Sequence, residues 1–177
     1  MKNSNLLRSF FLLISFVILS CKQNSHPNYE RNLENTQKFF NYINENDGLE
    51  KMISMLSPEI KHQSPTYDGK IRNYDERIQE LSGYFNGFKN LKYEANIWLP
   101  NTDKNGNLTG GVRTYGTWTG EFVETGKNIT LNSFHYYNYD DQGKVINSGD
   151  FFDASGLLYA IADEQVHVVE MTINGKK

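Results

Sequence analysis

The stretch from Gly110 to Leu158 constrains this chain more than any other. It holds three strand-like runs, 110–124, 129–140 and 144–152, separated by the turn signals Thr125-Gly126-Lys127 and Asp140-Asp141-Gln142-Gly143. Within the first run Val112, Trp118 and Phe122 share one face, and Arg113, Tyr115 and Val123 the other. The second sets Leu131, His135 and Tyr137 against Phe134 and Tyr136. Neither face is polar throughout, so both sides of the sheet call for cover, by the chain's own helices on one side and by a second copy of the protein on the other.

The upstream residues supply the helices. Leu33, Phe39, Phe40 and Ile43 form a loose helical stripe stopped by Asn46-Asp47-Gly48, and Leu49, Met52, Ile53 and Leu56 follow at i, i+3, i+4 and i+7. Glu59 to Tyr67, interrupted by Pro65 and bounded by Asp68-Gly69, is expected to be an edge strand or an extended arm. Asn73-Tyr74-Asp75-Glu76 has the form of an N-cap followed by first-turn acids. Tyr74, Ile78, Leu81, Phe85 and Phe88 then make the longest helical stripe. Leu91 to Leu99 is a further strand, Asn101 to Asn107 a loop, and Leu157 to Val169 a short helix or strand. With 177 residues, one core is the default expectation.

The first twenty residues have a separate character. Lys2 and Arg8 precede an uncharged apolar run from Ser9 to Ser20, shorter than the roughly 20 apolar residues that span a bilayer. The run ends at Cys21, the single cysteine of the protein, which cannot form an internal disulfide. Ile18-Leu19-Ser20-Cys21 resembles the bacterial lipobox. That resemblance implies cleavage before Cys21, acylation of its sulfur and anchoring of the mature chain to a membrane; an ordinary signal peptide with an incidental cysteine, or a short membrane anchor, are the alternatives. Lys22-Gln23 lacks the aspartate that, by the same resemblance, retains lipoproteins at the inner membrane, so the outer membrane is the expected address, facing the periplasm or the surface. Removal of residues 1–20 leaves 16 basic against 21 acidic residues, a formal charge of −5, and no basic cluster, which argues against nucleic acid as a partner. Residues 21–32 are expected to be a tether, 33–170 the folded domain and 171–177 a polar tail.

Helix, helix, short strand, long helix and four consecutive strands make an α+β plan, a curved antiparallel sheet wrapped around N-terminal helices. Gly116-Thr117-Trp118-Thr119-Gly120, Thr125-Gly126-Lys127, Gly143-Lys144-Val145, Phe151-Phe152-Asp153 and Gly156-Leu157-Leu158 together resemble the nuclear transport factor 2-like superfamily, with its SnoaL-like branch nearest, over residues 33 to 162. The resemblance implies a cone with a pocket between sheet and helices, and a homodimer through the sheet's outer face. In some members a pocket carboxylate or histidine moves a proton next to a carbonyl. A fold of this kind does not choose a reaction.

Proton abstraction needs a carboxylate or histidine in an apolar pocket. Asp150, on the last strand with Phe152, and His135, beside Leu131 and Tyr137, are the candidate catalytic bases; each is also open to a structural reading, as a strand-edge cap or a satisfied core histidine. His62, Tyr67, Tyr84 and Trp118 are the candidate pocket-lining residues for a small apolar ligand. Asp153 reads as part of a turn or as a helix N-cap instead. The four histidines, His26, His62, His135 and His167, show no ligand spacing, so neither a metal nor a cofactor is expected. Three functions remain: a lipid-anchored binding or accessory module, an isomerase, cyclase or dehydratase using Asp150 or His135, and a structural envelope protein.

Overall fold

The structure, a computed structural model, describes residues 25–162. Cys21, the run before it, His167 and the 171–177 tail lie outside the described residues. The chain forms α1 (Tyr29–Asn41), a 3-10 turn (Tyr42–Asn44), α2 (Gly48–Ser54), β1 (Leu56–Gln63), β2 (Ile71–Arg72), α3 (Tyr74–Gly87), β3 (Phe88–Thr102), β4 (Leu108–Phe122), β5 (Asn128–Tyr139), β6 (Val145–Phe152) and α4 (Ala154–Ile161). No helix among the described residues is long and apolar enough to cross a membrane.

The six strands make one curved, open sheet in the order β2-β1-β6-β5-β4-β3. Three expectations change. The sheet is mixed, because β1 runs parallel to β6 while every other pairing is antiparallel. The first strand is also interior, flanked by β2 and β6, where an edge strand or arm was expected. Pro58 is tolerated there because the β1–β6 register shifts between Leu56 and Lys61, so the missing N–H falls in a break of the ladder. Finally, α1 begins at Tyr29, so four residues of the expected tether are helix. Asn32 is buried and its side-chain amide donates to the Gly110 carbonyl at 2.8 Å, which ties the first turn of α1 to β4.

The helices cover the concave face. Phe39 and Phe40 of α1, Met52 of α2 and Leu81 of α3 pack with Leu56, Ile60, Tyr137 and Val145 in the core. The Phe40 ring stacks on Tyr93 at 4.3 Å between centroids and meets the His135 ring edge-on at 5.3 Å. A capping box starts α3: the Asn73 side chain accepts from the Glu76 N–H, and the Glu76 carboxylate accepts from the Asn73 N–H. Asp153 caps α4, accepting from the Gly156 N–H at 2.8 Å.

Two adjacent rows across the sheet show how the pleat sorts side chains. Trp98, Thr114, His135 and Asp150 are successive register partners from β3 to β6, and Thr114, His135 and Asp150 are buried. The neighbouring row, Ile97, Tyr115, Phe134 and Phe151, points to the other face, where Ile97, Tyr115 and Phe151 are exposed.

Candidate functional site

Arg77 sits on the inward stripe of α3 with Leu81 and Tyr84, at i, i+4 and i+7, and α3 lies against β1. This brings an arginine, only 2% exposed, onto the polar row of the concave face. Its Nη1 is 2.7 Å from Glu80 Oε2 and 3.2 Å from Asp150 Oδ2, so one guanidinium nitrogen serves both carboxylates. Glu80 also accepts from the Ser64 hydroxyl at 2.7 Å. Arg72 Nε stands 3.3 Å from Glu80 Oε1, an ion pair by distance that is not aligned as a hydrogen bond.

Two histidines complete the cluster. His62 on β1 is wholly buried; its Nδ1 meets the Ser148 hydroxyl at 2.9 Å, and its Nε2 is 2.9 Å from Arg77 Nη1 and 3.1 Å from Glu80 Oε2. Neutral at Nε2 it accepts from the guanidinium; protonated there it donates to Glu80. His135 on β5 faces Asp150 across the ladder, with Nδ1 to Oδ1 at 2.7 Å. On the opposite side of that ring the Trp118 indole N–H donates to Nε2 at 3.1 Å, and the Ser133 hydroxyl lies 2.8 Å from the same nitrogen.

An indole nitrogen can only donate, so Nε2 is an acceptor, the ring proton is on Nδ1, and Asp150 receives it.

The electrostatics follow from these contacts. Burial opposes the charge on Asp150, but Arg77 first, then His62 and His135, outweigh it and hold its carboxyl well below the usual carboxylate range. Burial likewise opposes Glu80, and the His62 hydrogen bond, Arg77 and Ser64 bring it down to about 2. Arg77 pays for its burial through Asp150 and Glu80, which keep it firmly charged. Burial, reinforced by the same two carboxylates, pushes the Tyr84 phenol up, so it remains a proton donor. Among the described residues no group of three His, Cys, Asp or Glu is placed to hold a metal ion; the cation between the carboxylates is Arg77.

This cluster forms the polar end of a cavity of about 80 Å³. Arg77, Tyr84, His135 and Asp150 line that end, while Phe39, Phe40, Met52, Leu81, Trp118 and Leu131 are among its apolar walls. Arg77 Nε is buried without a hydrogen-bond partner among the described residues. A wider groove of about 760 Å³, lined by Pro58, Lys61, Arg72 and Ile146 among others, lies open beside β1 and β2 and includes none of the buried cluster.

Of the residues singled out from sequence, His135, Asp150, Trp118 and Tyr84 converge on the cavity. His62 joins the network one layer behind, through Arg77. Tyr67 is a correction: its side chain is fully exposed, because the Thr66–Gly69 turn that follows β1 carries it away from the sheet. Sequence reasoning passed over Arg77, Glu80 and Ser133. The available signal was position: Arg77 shares a helical stripe with Leu81 and Tyr84, and Ser133 alternates with Leu131 and His135.

Comparison with known proteins returns this architecture. No family model matches the chain, and no curated protein matches its sequence. Solved structures do: a protein from Jannaschia sp. CCS1 assigned as a SnoaL-like polyketide cyclase (16% identity, 80% of this chain and 99% of that one, TM-score 0.65); one from Bacillus subtilis assigned as an isomerase (16%, 76% and 95%, TM-score 0.64); and a nuclear transport factor 2-like protein of unknown function from Exiguobacterium sp. 255-15 (16%, 67% and 98%, TM-score 0.55). The chain therefore has the fold of these nuclear transport factor 2-like and SnoaL-like proteins.

Proposed function

We propose that this protein is an envelope lipoprotein whose SnoaL-like domain binds a small, largely apolar molecule carrying one hydrogen-bond acceptor. The observation that carries the reading is the unpartnered Nε of Arg77, a residue at the polar end of a largely apolar cavity. A buried donor without an acceptor costs about 1–3 kcal/mol, which a ligand oxygen placed there would recover. The cavity is about 80 Å³, roughly half the ~150 Å³ that admits benzene, so the part of a ligand held inside is only a few heavy atoms. Proton abstraction by Asp150 is the weaker reading, since a carboxylate held ionised by Arg77 and two histidines has little affinity for a substrate proton at neutral pH.

Native mass spectrometry of the protein purified from cell envelopes tests the binding reading. The expected result is a co-purifying small molecule that is lost when Leu131→Trp fills the cavity; an empty cavity in both proteins, with no uptake of added small ketones, overturns it.

The proposed anchor is the acylated Cys21. Incorporation of an alkyne-tagged fatty acid, abolished by Cys21→Ser, is its test. The proposed partner on the sheet's outer face is a second copy of the chain, supported by the continuous row Ile97, Tyr115, Phe134 and Phe151. An uncharged row can meet its own image across a two-fold axis without opposing like charges.

A further inference from the structure

Two arginines meet two carboxylates at and behind the polar end of the cavity. Arg77 Nη1 holds Asp150 at 3.2 Å and Glu80 at 2.7 Å, and Arg72 stands 3.3 Å from the second Glu80 oxygen. The contacts of the two histidines require no further charge. His135 accepts at Nε2 from the Trp118 N–H and donates from Nδ1 to Asp150. The His62 ring has the Ser148 hydroxyl at Nδ1, which gives or takes a hydrogen bond, so either neutral tautomer satisfies both ring nitrogens. The arginine that lines the cavity is therefore already neutralised. It brings donors to the site without a surplus of positive charge.

Asp150 is the carboxylate that acts on this space. It lines the cavity together with Arg77 and Tyr84, whereas Glu80 lies behind them. Tyr84 and Tyr137 register its charge: burial raises both phenols, Asp150 raises them further, and Arg77 acts in the opposite sense with less weight in each. A carboxylate brought to Arg77 would stand beside Asp150 on the same guanidinium, in a largely apolar space where like charges are poorly screened.

We propose that Asp150 is a specificity residue of the cavity: by neutralising Arg77 it admits ligands with a neutral acceptor, such as a ketone or an amide carbonyl, and rejects carboxylates of the same shape. Arg77 and Tyr84 supply the donors. A buried arginine is ordinarily suited to an anion; here two carboxylates of the chain have taken that place. The inference rests on the cavity as the binding site of the proposed function and adds the charge of the ligand to it. It also implies a reversal. With the Asp150 charge removed, Arg72 and Arg77 outnumber Glu80, and the same space turns toward anions.

The test titrates the protein with butanone, propionamide and propionate, which share one shape, and reads binding from the Trp118 indole N–H resonance, since Trp118 is a wall of the cavity. Expected for the parent are shifts with the ketone and the amide, and an affinity for propionate lower by roughly 100-fold, the scale set by a like charge a few ångströms away in a poorly screened site. In Asp150→Asn, propionate is expected to bind at least about 10-fold more tightly than in the parent while propionamide still binds. A role of Asp150 in folding alone would weaken all three ligands together. Glu80→Gln shifts the preference in the same direction and replaces Asp150→Asn if thermal melts show that variant to be unfolded. Leu131→Trp, which fills the cavity, removes all three signals. Propionate binding the parent as tightly as propionamide does, or gaining nothing in the folded variants while propionamide still binds, overturns the proposal and spares the cavity reading. No binding of any of the three to parent or variants sinks both.

Discussion

Asp150 Oδ1 and His135 Nδ1 face each other at 2.7 Å across the β5–β6 ladder, each buried, with the Asp150 charge compensated on its other oxygen by Arg77 at 3.2 Å. Neither contact would survive a one-residue slip of β6, since that would send Asp150 to the outer face.

Asp150→Ala leaves Arg77 partly uncompensated in a buried site, and the expected loss is about 3–5 kcal/mol in urea unfolding. Asp150→Asn, which keeps the shape but not the charge, is expected to lose less. Equal stability of all three proteins would show that the pair carries no structural role.

Acid stability should depend on Glu80. Its folded pKa, about 2, is below its ordinary 4.5, so the charged form is favoured by folding. That stabilisation is complete above about pH 4.5 and is lost as pH falls toward 2, with Asp150 acting in the same direction. The difference corresponds to roughly 3 kcal/mol for Glu80, which is largely buried. Unfolding free energy measured from pH 6 to pH 2 should therefore fall less steeply in Glu80→Gln than in the parent.

Gly116 makes room for the Tyr93 ring. A Cβ there would lie 2.4 Å from the Glu94 carbonyl oxygen and 2.6 Å from the Tyr93 ring, and the Tyr93 hydroxyl bonds Thr114 at 3.0 Å. Gly116→Ala is expected to cost about 1–3 kcal/mol and to displace Tyr93, read as a lowered melting temperature and an altered near-ultraviolet circular dichroism spectrum.

On the outer face, Phe151 is exposed and packs on Phe134 at 5.6 Å between centroids. Phe151→Asp is expected to convert a dimer into a monomer in sedimentation velocity, with little change in the melting temperature of the dilute protein. A parent that is monomeric at high concentration would remove the second copy as the occupant.

The candidate site was unevenly legible. His135 and Asp150 could be singled out because a titratable group amid an apolar strand pattern stands out locally. Arg77 could not be recognised the same way: the apolar residues Tyr74, Ile78, Leu81, Phe85 and Phe88 define a helical stripe of their own, and only the docking of α3 beside β1 rolls Arg77 inward. Tyr67 misled for the opposite reason, since an aromatic residue close to a strand in sequence was carried out by a turn.

Local chemistry alone determined the elements: strand alternation, the turns at Gly126 and Gly143, the Asn73 cap and the Asp153 cap all act within a few residues. Whether β1 is an edge, which strand it parallels, and that His62, Arg77, Glu80, His135 and Asp150 meet at one place were decided only by tertiary structure. Those contacts join residues up to 88 positions apart, as in the His62–Asp150 pair, and their energies depend on burial and register that no short window of sequence contains.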